Sequence, residues 1–164
     1  MNFLEELVAE WYEYRGYFIK KNVLVGKRPA GGHECELDVV AFHPQTKHLV
    51  HIEASMDEDK KETRDRRFTK KFDAGLKYIP ELFSGLLDND HHIEQHSLMV
   101  FISTSEEVII AGKPAMHVSE FLKQITEHFA EFSMLKRQAP QQYPLLRTIQ
   151  FTTQYKDLLY NPTD

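Results

Sequence analysis

Two short apolar segments joined by a turn constrain the fold of this sequence more than any other feature. Residues 34–42 and 48–55 are rich in aliphatic residues, and the polar stretch between them contains Pro44. Such runs, separated by turn residues, predict a β-hairpin. The apolar residues do not follow strict alternation, which is expected when both faces of a strand are covered. The hairpin should therefore be buried on both sides.

Carboxylates stand inside these apolar strands. Because side chains alternate between faces, each strand has one polar face: Glu34, Glu36 and Asp38 on the first, and His51, Glu53 and Ser55 on the second. Burying an unpaired charge is costly, so such carboxylates need a partner. A divalent cation is one partner for Asp38 and Glu53, since Mg²⁺ takes one or two carboxylates and completes its shell with water and substrate phosphate. A solvent-exposed strand face is the alternative.

Asp38, a turn, and an apolar strand ending in Glu53-Ala54-Ser55 together resemble the PD-(D/E)XK nuclease superfamily, which has the restriction-endonuclease-like fold. Its signature is an aspartate on one strand and Glu-x-Lys on the next. Glu36-Leu37-Asp38 is also similar to the Glu-Ile-Asp of Holliday-junction-resolvase-like members. The sequence departs from the signature in two places: no proline precedes Asp38, and Ser55 stands at the lysine position. The resemblance, which covers residues 4–104, implies that Asp38, Glu53 and the Ala54 carbonyl bind Mg²⁺, with Mn²⁺ as a substitute.

The helix predicted over residues 61–83 offers a replacement for the missing lysine. At about 100° per residue, Lys70 points into solvent, whereas Lys71 lies on the flank of the apolar stripe, in line with Arg67 and Arg64. Some superfamily members carry the lysine on a neighbouring helix, so the resemblance makes Lys71 the candidate catalytic cation. A lysine whose stem covers the edge of the core is the alternative.

The first helix, predicted over residues 3–15 and ended by Gly16, supplies another candidate. Several families of the superfamily use a glutamate from this helix in the metal site. Glu5 best matches that spacing, and Glu6 is the alternative. Both are also explained as acids that the helix dipole favours near a helix N-terminus.

Composition and charge narrow the function. The 164 residues are most simply one domain, 1–164, and 41% hydrophobic content is typical of a globular protein. The single cysteine excludes an internal disulfide. No apolar run approaches the length of about 20 residues that a bilayer requires, and Glu5, Glu6 and Glu10 stand where a signal peptide would be basic and then apolar. We therefore expect a cytoplasmic protein without a membrane partner.

The basic residues are concentrated in one segment. The net charge is −5, yet residues 60–77 hold eight Lys or Arg against three Asp or Glu, so the remaining chain sums to −10. A basic segment in an acidic protein is compatible with a nucleic-acid groove and equally with a salt-bridged helix surface. Arg64, Arg67 and Lys71 are the expected nucleic-acid contacts, with DNA favoured over RNA. The sequence leaves open whether the protein forms a homodimer.

The remaining pattern completes the topology. It predicts a strand at 17–19 that continues over 23–25, a surface loop over 86–96, a strand over 98–104, a surface excursion over 106–115, a helix over 118–132 and a strand over 145–152. The Asp and His residues in the predicted 86–96 loop could bind a transition metal, but a surface loop without a metal is the favoured interpretation. This order predicts an α/β fold with a central mixed β-sheet flanked by helices, and the resemblance implies that its core is restriction-endonuclease-like.

The leading functional prediction is a Mg²⁺-dependent endonuclease that acts on DNA. Asp38, Glu53, Ser55, Lys71 and Glu5 are the candidate catalytic residues, with Ser55 able to hydrogen-bond a metal-bound water. Two other classes stay open. One is a non-cleaving relative that binds nucleic acid or protein. The other is an interaction domain in which arginines neutralise Asp38 and Glu53. Cleavage separates the nuclease from the first, and metal binding separates it from the second.

Overall fold

A computed structural model describes residues 2–88 and 90–160 of the chain. It contains five helices and six strands within these residues: α1 Phe3–Tyr14, β1 Phe18–Lys27, β2 His33–Phe42, β3 Leu49–Ser55, α2 Lys61–Leu82, β4 Ile93–Met99, β5 Ile109–Ile110, β6 Lys113–His117, α3 Val118–Ala130, α4 Pro144–Gln154 and α5 Lys156–Tyr160. The chain divides into two compact units, Met1–His117 and Val118–Asp164. None of the described helices is both long enough and apolar enough to cross a membrane.

The first unit is built on one mixed sheet with the strand order β1-β2-β3-β4-β6-β5. Strand β2 is antiparallel to both β1 and β3, whereas β4 is parallel to β3 and β6 is parallel to β4. Helix α1 packs on β1, β2 and β3, and α2 packs across the sheet from β1 to β5. The α/β class and the mixed sheet flanked by helices are confirmed.

The predicted hairpin is the centre of this sheet. Every residue of β3 is buried, and so are the last six of β2, because helices cover both strands. On one side, Val40, Phe42 and Leu49 pack against Ala74 and Ile79 of α2. Burying one such aliphatic or aromatic side chain contributes about 1.5–3 kcal/mol. These contacts fix α2 against the hairpin and set which of its side chains reach the strands.

The fourth strand lies earlier than the sequence predicted. It spans Ile93–Met99 instead of 98–104, and it pairs with β3 from Leu49 opposite Ile93 to Ser55 opposite Met99. Its first half contains polar residues, and for that reason the sequence predicted a loop there. Those groups have partners in the fold, and Gln95 is only 5% exposed. The predicted surface excursion over 106–115 also contains structure, since β5 and β6 form a hairpin there.

The last predicted strand, over 145–152, is wrong, because these residues lie in helix α4. Its buried residues, Leu146 and Gln150, are four apart, which is helical rather than strand spacing. Pro144 stands at the first helical positions, where its missing N–H is not needed. Within the second unit, α4 contacts α3, whose buried face consists of Phe121, Ile125 and Phe129. The predicted helix over 118–132 is confirmed as α3.

Candidate active site

The two predicted metal-binding carboxylates lie side by side on adjacent strands. The antiparallel register that pairs Val39 with Ile52 places Asp38 next to Glu53 on the same face. The Asp38 N–H donates to Glu53 Oε1 at 3.3 Å, and the Ala54 N–H donates to Asp38 Oδ2 at 3.0 Å. The strands themselves therefore orient both carboxyl groups.

Helix α2 brings a cation to the remaining oxygens. The Lys71 ammonium donates to Asp38 Oδ1 at 2.5 Å and also to Glu53 Oε2. The Lys71 side chain is 21% exposed, Asp38 is 10% exposed and Glu53 is fully buried. Lys70, one residue earlier, is exposed. The predicted positions of both lysines are confirmed.

Burial dominates the ionisation of this triad. Burial, followed by the charge of the adjacent Glu53 carboxylate, raises the pKa of Asp38 to about 6, because Lys71 offsets these effects only in part. Burial also raises the pKa of Glu53. Burial alone would lower the pKa of Lys71, but the Glu53 and Asp38 carboxylates outweigh it, so that pKa is raised. Lys71 is therefore a cation at neutral pH, and with both acids ionised the triad carries one net negative charge.

A second cation lies beside the position where the superfamily signature has lysine. The Ser55 hydroxyl accepts a hydrogen bond from Arg67 Nη2 at 2.8 Å. The same guanidinium pairs through Nη1 with Asp57 at 2.7 Å and with Asp59 at 3.0 Å. Arg64 takes another direction, since its Nη1 donates to the carbonyl of Phe101 at 3.4 Å. Of the two predicted DNA-contacting arginines, only Arg67 is therefore near the carboxylates.

The structure also distinguishes the two first-helix glutamates. Glu5 forms a capping box with Asn2 at the start of α1 and is 8% exposed. Burial, followed by the charge of Asp38, raises the pKa of the Glu5 carboxyl. Glu6 instead forms an ion pair with Lys21 at 2.9 Å. Glu5 is thus the glutamate beside the triad, and it also caps the helix.

These groups open onto one cleft of about 290 Å³. The predicted site residues that line it are Glu5, Asp38, Glu53, Ala54, Ser55, Arg67 and Lys71, whereas Arg64 is not among them. Asn2, Met56, Asp57 and Phe68 complete the lining. An open cleft with paired carboxylates and two cations suits an anionic substrate and a divalent cation.

A polar row that the sequence did not predict lies beside Glu53, and its members His51 and Gln95 are buried. His51 Nε2 lies 2.7 Å from Glu53 Oε1, and its Nδ1 lies 3.1 Å from the amide nitrogen of Gln95. Lys113 donates to the Gln95 amide oxygen at 2.6 Å. Strand alternation places His51 on the face of Glu53. No sequence signal brings Gln95 and Lys113 to it, because they lie on β4 and β6.

Asp38 and Glu53 are the side chains of this cleft that could hold a divalent cation. Within residues 2–88 and 90–160, no group of three or more His, Cys, Asp or Glu side chains is arranged to hold a metal. Mg²⁺ needs only one or two carboxylates, which Asp38 and Glu53 supply. The predicted 86–96 loop contains Asn89, which lies outside the described residues. Its His96 contacts Glu94 at 2.6 Å, and so does His48 from elsewhere in the chain.

In comparisons with known proteins, no protein-family model, curated protein or solved structure matches this chain significantly.

Proposed function

We propose that this protein is a Mg²⁺-dependent endonuclease with a restriction-endonuclease-like fold that hydrolyses phosphodiester bonds in DNA in the cytoplasm. One observation carries the proposal: Asp38 and Glu53 from adjacent strands and Lys71 from α2 converge in an open cleft. The order of elements from α1 to β4 supports it, since helix, three strands, helix and strand is the order that the superfamily resemblance implies.

Asp38 and Glu53 would hold the metal through the oxygens that now contact Lys71. Their other oxygens are engaged by the Ala54 N–H, the Asp38 N–H and His51. The Ala54 carbonyl is the further ligand that the resemblance implies, and Mn²⁺ should substitute for Mg²⁺. When bound, the cation supplies Lewis-acid activation of the scissile phosphate and of water. When both acids are ionised, the net negative charge of the triad favours uptake of such a cation.

The protein groups around the metal position have separate tasks. Lys71 orients the attacking water or balances the negative charge that develops on the phosphate, and a fixed cation in a partly buried cleft suits this task. The Ser55 hydroxyl hydrogen-bonds water but supplies no charge. Arg67 beside it contacts the phosphate backbone, and guanidinium geometry matches phosphate oxygens. Glu5 completes the acidic side of the cleft.

A non-cleaving nucleic-acid-binding protein is the second candidate, and a specific observation favours it. Lys71 already satisfies one oxygen of each carboxylate, and Arg67 is paired with Asp57, Asp59 and Ser55. A triad compensated in this way does not require a metal to be stable. Such a protein keeps the basic surface of α2 without the chemistry.

Cleavage assays separate the two functions. The protein is incubated with supercoiled plasmid, linear duplex and single-stranded DNA in Mg²⁺, in Mn²⁺ and in EDTA. We expect cleavage only with a divalent cation, and we expect Asp38→Asn, Glu53→Gln and Lys71→Ala each to abolish it. Lys70→Ala is the matched control and should retain activity, because Lys70 is exposed. Salt-dependent DNA binding without cleavage would establish the non-cleaving protein instead.

A further inference from the structure

We infer that His51 is a positioning residue of the site: its Nε2–H holds Glu53 Oε1, so that Glu53 Oε2 faces the cation. The inference rests on the proposed function, because the cation in question is the divalent metal. His51 and Glu53 are both fully buried, and the ring nitrogen and carboxylate oxygen are 2.7 Å apart. His51 itself lies outside the lining of the cleft. It therefore acts through Glu53.

Sheet register assembles the row that contains His51. On β3 and β4, His51 is the direct partner of Gln95, and Glu53 is the partner of Ser97. Strand β6 pairs with β4 so that Ser97 is opposite Ala115. The same register places Lys113 beside Gln95. One polar side chain from each of three parallel strands thus lies in a single row that ends at the site.

The hydrogen bonds along this row fix the tautomer of His51. The Lys113 ammonium can only donate, so its 2.6 Å contact identifies the Gln95 oxygen and leaves the amide NH₂ on the other side. That NH₂ donates to the Phe72 carbonyl at 2.8 Å and to His51 Nδ1 at 3.1 Å. Nδ1 is therefore the acceptor, and the proton of the neutral ring is on Nε2.

Two residues of helix α2 pack closely against the ring of His51. A Cβ atom at Gly75 would lie only 2.4 Å from His51 Nδ1, so glycine alone leaves room for the imidazole. The ring of Phe72 meets His51 edge to face, with centroids 5.6 Å apart. The imidazole thus has little freedom to rotate away from Glu53.

A buried polar row is costly unless each group is satisfied, and an apolar row would be the simpler core. Here the row ends on a carboxylate that faces the cleft, and it controls which oxygen of that carboxylate points towards Lys71 and the proposed cation position. Groups that hydrogen-bond metal-binding side chains in this way typically alter metal affinity by about 10–100-fold when they are removed. His51, Gln95 and Lys113 form such a group for Glu53.

Mn²⁺ binding without substrate tests the inference, with the free ion followed by electron paramagnetic resonance. His51→Leu removes the donor at similar volume, and we expect it to weaken binding about 10–100-fold. His51→Gln keeps an N–H at the distance of Nε2 and should restore affinity close to that of the wild type. His96→Leu, on β4 and bonded to Glu94, is the matched control and should leave affinity unchanged.

The outcomes separate this inference from the proposed function. Mn²⁺ binding by the wild type with equal binding by His51→Leu overturns the role of His51 and leaves the proposed function standing. Equal weakening by Leu and Gln also overturns it, because the volume of the ring and not its donor would then matter. If the wild type does not bind Mn²⁺, both the role of His51 and the proposed function are contradicted. If His51→Leu does not fold, Gln95→Met tests the inference instead. It removes the amide that donates to His51 Nδ1, so the ring proton is no longer held on Nε2, and Glu53 itself is unchanged. This variant should also bind Mn²⁺ more weakly, and wild-type affinity would overturn the role of His51.

Discussion

Replacing Lys71 by methionine tests the centre of the site most directly. The change keeps most of the apolar stem of the side chain and removes the ammonium that contacts both Asp38 and Glu53. Two neighbouring carboxylates, one fully buried and one 10% exposed, would then lack their cation. Because like charges repel strongly where water is excluded, the folded state should lose stability.

The magnitude follows from the burial of the three groups. Removing one partner of a buried ion pair costs about 3–5 kcal/mol, because the other charge stays buried and unpaired. The cost should be smaller in mild acid. The pKa of Asp38 is raised to about 6, so at about pH 5 this carboxyl already carries a proton and less negative charge depends on Lys71. The destabilisation should therefore be larger at about pH 7.5 than at about pH 5.

Urea unfolding followed by tryptophan fluorescence measures the effect. Trp11 is the single tryptophan, lies in α1 and is 8% exposed, so it reports on the unit that carries the site. Lys70→Met is the matched control and should change the free energy of unfolding by no more than about 0.5 kcal/mol, as expected for an exposed side chain. Mn²⁺ at about 100 times its Kd should restore about 2.7 kcal/mol to the Lys71→Met protein.

Two results would refute this reasoning in different ways. If Lys71→Met and Lys70→Met unfold at the same urea concentration at neutral pH, the ammonium does not compensate the two carboxylates. If Lys71→Met is destabilised but Mn²⁺ has no effect on it, the triad is structural and the metal site is wrong.

Three further predictions follow from the same geometry. Mn²⁺ affinity should rise as the pH increases through about 6 and level off above it, because binding needs the ionised form of Asp38, whose raised pKa is about 6; calorimetric titration across this range checks it, and a flat profile would exclude Asp38 as a ligand. Arg67→Ala should weaken DNA binding and lower its salt dependence, whereas Arg64→Ala should do neither, because only Arg67 lines the cleft; shift assays at several salt concentrations compare them, and equal effects would contradict the assignment. Gly75→Ala should destabilise the protein in urea by about 1–3 kcal/mol through overpacking against His51, although alanine is favoured over glycine in helices by about 1 kcal/mol; a stabilised variant would show that the ring can move.

The sequence by itself determined the hairpin and the residues that it presents. Alternation along β2 and β3 places Asp38, His51, Glu53 and Ser55 on known faces, and the turn at Pro44 brings the strands together. Helical periodicity separated Lys71 from Lys70, because a difference of about 100° between neighbouring residues moves one side chain from the core edge to solvent. These properties are local, so a single sequence is enough to predict them.

Tertiary structure decided the properties that depend on distant segments. Strand β4 was misplaced because Glu94, Gln95 and His96 are polar, and only their partners on other elements make them acceptable in a strand. The strand predicted over 145–152 proved to be α4, since an apolar run does not reveal its period until one face is buried. The neutral tautomer of His51 likewise depends on Lys113, 62 positions further along the chain. Long-range packing, which local patterns do not encode, therefore determines how Glu53 is held.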